Sequence, residues 1–566
     1  MNRRSYAVRI ASLGLSATLS VALAACGSSV AVLDDETSEP ACSPGSSSSC
    51  ACPDGTEGTQ VCKESGEGYG RCECDGDADA SVEDASDAHD GDDAGANADA
   101  ASDDAGDADV SQEKALAAGL SITDILVYQS ISVPIVRNRA EVANRNAPVI
   151  AGKDALLRVM VTPLSGWQPR MVVGTLELHD SNGLIISYDA KLTVTAASKE
   201  ETLGSSFNFD IPGFLVKSDL EFKVTIREFD GRTYSGDDTA AEWPPSGTSK
   251  VQPRSSNGNL KLTIIPYRYN GRVPDTSEAH LQVFRDKFTS YPTPGVEITV
   301  HPVVDHSGTF TSGGNGWNQL LTKTCNLRGT EGADPNEYYY GLIVPANSAY
   351  AFCSDGCVAG LAPLARQAND SSSRCGIGLG FKESDLAAET AIHEIGHAMG
   401  REHAPCGLGQ QSSDRNYPYS NAALGVWGWE APKRALKHPS NVKDMMSYCS
   451  PIWISDYTYK AIFDRVSFVN SSALVKLPEG FPERWRSIVI EADGSVLWGE
   501  TTKLDSVPSG TPTTVQLLDE AGKQVGEATG YFYGTDHLPG GWVVVPEEKL
   551  AGAKAVRLEG KAALAL

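Results

Sequence analysis

The string His393-Glu394-Ile395-Gly396-His397-Ala398-Met399-Gly400-Arg401-Glu402-His403 restricts the fold of this chain more than any other stretch. Histidines four apart stand one turn apart on one helix face, so the imidazoles of His393 and His397 converge on one ion. Glu394 sits beside them, near enough to address a water held there. Gly400 can take a positive φ and end the helix, which turns the chain so that His403 arrives as a third nitrogen ligand. Three nitrogen ligands leave a coordination position open for water. A purely structural site would use four protein ligands and leave Glu394 without a role. The five fixed positions together arise by chance with odds on the order of one in 10⁵.

The surrounding periodicity places this string in an α/β or α+β unit. Strands are expected at Leu260–Pro266, Val296–Val303, Tyr338–Pro345, Val358–Leu364 and Gly376–Phe381, and helices at Glu278–Ser290, Asp385–Met399 and Asp456–Phe468. Ser384 is the expected N-cap of the histidine-bearing helix. Before this unit, residues ~118 to ~250 alternate apolar and polar positions in short runs, with Asn182-Gly183 as a turn between two of them, which predicts a β-sandwich. After Pro478 the short β runs return, with Asp493-Gly494 as a hairpin turn, and predict a small β domain. The sandwich region carries no recognisable chemistry.

The N-terminus reads as an export signal: Arg3 and Arg4, then a small-residue apolar run from Ile10 to Ala25. Leu23-Ala24-Ala25-Cys26 resembles a bacterial lipobox, which implies cleavage before Cys26 and lipid on its thiol. Six cysteines between Cys42 and Cys74 and six between Cys325 and Cys449 suit an oxidising compartment, and each even set can pair completely. The net charge of −26 argues against nucleic acid as a partner, and Asp75 to Asp109 alone holds 14 acidic residues with no Lys or Arg, leaving −12 for the rest. That stretch has no aromatic residue and reads as a solvated linker. The expected organisation is thus a signal peptide at 1–25, a lipidated and cysteine-rich segment at 26–74, an acidic linker at 75–112, a β-sandwich-like domain at 113–255, the histidine-bearing domain at 256–475 and a small β domain at 476–566.

H-E-x-x-H-x-x-G-x-x-H followed by a methionine turn is the metzincin signature. Asp444-Met445-Met446-Ser447-Tyr448 resembles that turn, with Met446 as the floor beneath the metal. The resemblance covers about residues 258 to 470. His403-Ala404-Pro405-Cys406-Gly407 and the turn with Cys449 are similar to a secreted bacterial group near the pappalysin and mucin-directed branches. The resemblance implies a twisted mixed sheet with an active-site helix, a Zn²⁺ ion on His393, His397 and His403, and peptide hydrolysis by a zinc water that Glu394 deprotonates. Tyr448 stands where some families place a fifth ligand or transition-state donor; its alternative role is packing under the site. The ligand loop and the methionine turn must meet beneath the metal, so a Cys406–Cys449 disulfide is expected, while Cys325, Cys353, Cys357 and Cys375 allow three pairings. Members of the clan are often kept latent by a pro-segment cysteine or aspartate on the zinc. With no cysteine between Cys74 and Cys325, a cysteine switch within the sandwich is excluded.

The expected activity is that of a zinc endopeptidase, lipid-anchored at the outer membrane or surface of a Gram-negative cell, cleaving extracellular protein or glycoprotein. The Val358–Leu364 strand would pair with an extended substrate at its edge. The rival from another class is a non-catalytic adhesin for glycoprotein or polysaccharide with a vestigial metal site. An intact Glu394 argues against it, because a binding module needs no general base.

Overall fold

The computed structural model describes residues 47–51, 57–61, 115–382, 385–407, 413–471 and 477–566. The lipobox with Cys26, most of the cysteine-rich segment, the acidic linker and Ser384 lie outside the described residues. Ser47–Ala51 and Glu57–Val61 pair as an antiparallel hairpin. No helix among the described residues is long and apolar enough to cross a membrane.

Glu113–Leu566 forms one compact unit. It begins with two antiparallel sheets. One runs in the order Ala140–Glu141, Ser132–Arg137, Leu120–Tyr128, Ala155–Pro163, Phe207–Ile211, and the other Glu242–Trp243, Glu221–Glu228, Arg170–Asp180, Gly183–Val194. Alternation dictates the packing: Val172, Leu176 and Leu178 of one strand and Phe222, Val224 and Ile226 of its neighbour are buried in the same cluster as Leu157, Val159 and Phe207 of the facing sheet. Asn182-Gly183 turns the last hairpin, as the sequence predicts. Leu126, Tyr128, Leu156 and Met160 point the other way, against Trp429. Trp453 Nε1 donates to Ser130 O at 2.7 Å, and Lys153 Nζ donates to the carbonyls of Thr289 and Tyr291, each at 2.8 Å. The sandwich is therefore seated on the histidine-bearing region.

That region has a sheet ordered Val296–Val300, Leu260–Arg268, Glu337–Ile343, Cys375–Leu379, Gly360–Leu361. The first four strands are parallel and the last is antiparallel. Both faces are covered, which is why every residue of Glu337–Ile343 after the half-buried Glu337 is uncharged and buried. Tyr338, Tyr340 and Leu342 join the cluster formed with helices Glu278–Phe288, Leu386–Ala398 and Asp456–Ser471, whereas Tyr339 and Ile343 face helix Trp317–Glu331. Two expectations need correction. The edge strand is only Gly360–Leu361, because Pro363 lacks an N–H with which to continue the ladder. The strand expected at Val296–Val303 stops at Val300, just before Pro302.

Helix Trp317–Glu331 was not foreseen. Its far side is covered by a seven-stranded antiparallel sheet ordered Val496–Thr502, Trp485–Ile490, Gly541–Pro546, Gln524–Gly534, Thr511–Leu518, Ala555–Leu558, Leu564–Ala565. Trp485, Tyr533, Trp542 and Val544 of this sheet share a core with Trp317, Leu320 and Leu321. The Glu491 carboxylate accepts from Gly316 N and Gln319 N, both at 3.0 Å, which satisfies the helix start with a negative charge. Asp370 accepts from Ser509 N at 2.7 Å and from Tyr533 OH at 2.7 Å. Disulfide Cys325–Cys375 ties the helix to the central sheet, and Cys353–Cys357 closes a local loop.

Candidate metal centre

Helix Leu386–Ala398 carries His393, Glu394 and His397 in its last two turns, with Asp385 at its N-cap position. Gly400 has φ +82°, and its N–H donates to His397 O at 2.7 Å while Arg401 N donates to Gly396 O at 2.9 Å. This left-handed closure ends the helix and redirects the chain toward His403. Gly400 is also close-packed, since a Cβ there would strike the Arg465 guanidinium and Ala365 O.

The turn Asp444–Tyr448 passes beneath the helix. Asp444, fully buried, accepts from Met446 N at 2.8 Å and from Ser455 N at 2.9 Å, and so holds the turn to the start of helix Asp456–Ser471. Two backbone bonds lash the turn to the third-ligand loop: Ala404 N donates to Met446 O at 2.8 Å, and Tyr448 N donates to Cys406 O at 3.1 Å. The structure joins Cys406 and Cys449 in a disulfide across the same seam. Met446 lies against Gly396, the one residue type on this helix with no side chain to exclude it.

The three imidazoles point at one another. His397 Nε2 is 3.0 Å from His393 Nε2 and 3.1 Å from His403 Nε2. His393 Nδ1 faces Met445 O and His397 Nδ1 faces Arg401 O, both at 2.6 Å. A carbonyl can only accept, so each Nδ1 carries the proton and each Nε2 presents a bare lone pair. Lone pairs facing each other at this distance repel unless a cation lies between them. A tetrahedral ion with bonds of about 2.0–2.2 Å would set its ligands about 3.3–3.6 Å apart, a few tenths of an ångström wider than the spacing seen. The donor set therefore fits a divalent metal. Burial and the neighbouring imidazoles push His393 and His403 far below the usual range, and burial pushes His397 down to about 4. Neutral histidines are what a metal requires.

Glu394 is 1% exposed, and burial together with the charge of Asp536 raises its carboxyl to about 8. Its Oε2 makes no hydrogen bond. Tyr448 packs its ring edge-on to His403, centroids 4.9 Å apart. Sequence reasoning placed all of these residues at the site, but it missed two others. Asp536 and His537 of the C-terminal sheet enter it, and the cluster His393, His397, His403, Asp536 and His537 has one ligand atom from each within 4.8 Å of the rest. Asp536 Oδ2 lies 3.1 Å from His397 Nε2 and 2.6 Å from His537 Nε2. His537 Nε2 is 3.3 Å from Glu394 Oε1, and its Nδ1 meets the Tyr448 hydroxyl. Burial opposes charge on His537, but the carboxylates of Asp536 and Glu394 outweigh it and raise the imidazole to about 10. Burial likewise opposes charge on Asp536, yet the facing imidazoles hold it far below the usual carboxylate range.

No curated protein matches the chain. Residues 368–450, which hold the histidine helix, the third histidine and the methionine turn but stop short of Asp536, match the family model described as Peptidase M66, and this match points to a metallopeptidase.

Proposed function

We propose that this chain is a zinc-dependent endopeptidase with a metzincin-like catalytic region, tethered by lipid on Cys26 at the surface of a Gram-negative cell and acting on extracellular protein or glycoprotein. The observation that carries the reading is the convergence of His393 Nε2 and His403 Nε2 on His397 Nε2, at 3.0 and 3.1 Å, beside the buried Glu394, within a segment similar to a metallopeptidase family. An ion held there would polarise a peptide carbonyl and make a water acidic. Glu394, withdrawn from solvent, is a stronger base than a solvated carboxylate; it takes the proton of the attacking water and hands it to the leaving amine. Met445 O and Arg401 O keep His393 and His397 in the tautomer that binds. The Tyr448 hydroxyl, which meets His537 Nδ1 here, would donate to a developing oxyanion once released from it. The Gly360–Leu361 edge, buried here beneath residues 535–536, is where the backbone of an extended substrate would pair.

Metal analysis beside a casein or peptide-library digest tests this reading. Glu394→Ala removes the base and no ligand, so metal should stay bound while proteolysis falls by about 10² or more. His403→Ala removes a ligand, so metal content and proteolysis should fall together. A Glu394→Ala protein that digests as fast as wild type would sink the mechanism.

A further inference from the structure

The edge that a substrate would pair with is already taken by the chain itself. Strands Gln524–Gly534 and Gly541–Pro546 form a hairpin whose last pair is Gly534 opposite Gly541, and residues 535–540 are its tip. Thr535 bridges Pro363 in antiparallel fashion, Asp536 N donates to Ala362 O at 3.3 Å, and Ala362 N donates to Asp536 Oδ1 at 3.1 Å. The other oxygen, Oδ2, points into the histidine cluster. The Asp536 side chain is 1% exposed, and its Oδ2 has no aligned hydrogen bond. Its nearest neighbour is His537 Nε2 at 2.6 Å, but it also faces the bare lone pair of His397 Nε2 at 3.1 Å, and two such acceptors repel unless a cation lies between them. The tip is built to hold this position: Gly540 has φ +92° and no room for a Cβ against Ile490 O, and Asn318 Nδ2 donates to Pro539 O at 3.0 Å.

We propose that Asp536 is the fourth protein ligand of the metal and that the hairpin tip closes the site in its resting state. The inference rests on the reading that His393, His397 and His403 hold a divalent ion. Three histidines leave one position open, and a carboxylate beside them fills the place of the reactive water, giving the ligand count of a closed site. His537 occupies Glu394 at the same time, and Thr535–Asp536 lies along Ala362–Pro363 where an extended peptide would lie. Tip and substrate therefore compete for the same backbone edge, the same base and the same coordination position. The flanking strands cannot leave with the tip, because Tyr533 stacks on Trp542 at 5.1 Å and both belong to the core around Trp317. The gate is thus the six residues 535–540, held by an otherwise fixed sheet.

The test uses the full chain loaded with Co²⁺, whose visible spectrum reports ligand number, titrated with acetohydroxamate. Wild type should show a four-ligand spectrum that hydroxamate perturbs only weakly. Asp536→Ala should bind the probe at least about tenfold more tightly, as expected when a competent state populated at 10% or less becomes dominant. Gly540→Val leaves every ligand in place while denying the tip its turn; it should shift affinity in the same direction, and it decides the matter if Asp536→Ala folds poorly. Equal hydroxamate affinity in wild type and Gly540→Val, with the same spectrum, overturns the gate. A peptide-library digest with the opened variant separates this result from the peptidase reading. Hydroxamate admitted with no peptide cut would leave the gate standing and defeat the peptidase, whereas wild type cutting and binding as well as the variants would do the reverse.

Discussion

The Cys406–Cys449 disulfide crosses the seam between ligand loop and methionine turn, and its removal should reduce stability far more than metal affinity. The bridge closes a loop of sequence separation 43. Chain-entropy cost for a loop of that length is about 13 cal/mol/K, or about 4 kcal/mol at 25 °C, all of it exerted on the unfolded chain. The folded seam has other ties: Ala404 N to Met446 O, Tyr448 N to Cys406 O and His393 Nδ1 to Met445 O survive the change. The double variant Cys406→Ser, Cys449→Ser should therefore unfold about 4 kcal/mol more easily as apoprotein, while its metal dissociation constant moves by less than about threefold. If the roughly 450 residues of Glu113–Leu566 melt together, with about 2.1 cal/mol/K of unfolding entropy per residue, the fall in Tm is about 4 °C, and a smaller cooperative unit would show a larger fall. Denaturant titration of the apoprotein and competitive metal titration with a chelator measure the two quantities. An unchanged unfolding free energy with a tenfold weaker metal site would refute the reasoning, since it would mean that the bridge shapes the folded site and leaves the unfolded chain unconstrained.

Two further outcomes follow from single side chains. Gly396→Ala should gain about 1 kcal/mol of helix propensity, but its Cβ would enter the space of Met446 Sδ, and overpacking of that kind costs about 1–3 kcal/mol. With Met446 fully buried and its carbonyl engaged by Ala404, the net change is a loss, read as lower Tm and weaker metal binding; a stabilised variant would show that the methionine moves freely. His306, packed among Tyr267, Tyr269 and Phe310, is pushed down to about 4 by burial and then by Lys323. Between pH 4 and the unfolded value near 6.5 only the unfolded chain binds that proton, so stability is full above about pH 6.5 and falls as pH drops, by at most about 3 kcal/mol. His306→Leu should flatten the difference in unfolding free energy between pH 7 and pH 5, and an unaltered slope would defeat the assignment.

The three converging histidines were legible because their spacing is local. One helix turn sets His393 against His397, one left-handed glycine brings His403, and neither relation depends on the rest of the fold. The sandwich strands were legible for a similar reason, since one buried face leaves a period of two, as in Arg170–Asp180. Helix Trp317–Glu331 was hidden by the opposite condition. Lying between two sheets, it buries Asn318, Thr322, Thr324, Asn326 and Arg328 along with its apolar residues, so no single apolar stripe marks it. Its polar side chains are satisfied from outside: Asn318 donates to Ile490 O, Asn326 donates to Glu500 O, and Arg328 donates to Glu337 O.

Asp536 and His537 mark a different boundary on what a sequence carries. Thr535-Asp536-His537-Leu538-Pro539-Gly540 has the composition of an ordinary turn, and the nearest ligand, His403, lies 133 positions away. Only the docking of the C-terminal sheet on helix Trp317–Glu331 carries this turn to the histidine cluster, and that docking depends on the very helix whose pattern is unreadable. The available signal was weaker but physical: a histidine next to an aspartate in a hairpin tip, in a chain with only ten histidines, three of which one motif already gathers. A site that can be deduced from spacing is therefore its first-formed, local part. The groups that decide whether it is open or closed come from the far end of the chain and become visible only once two surfaces of the helix that joins them are both accounted for.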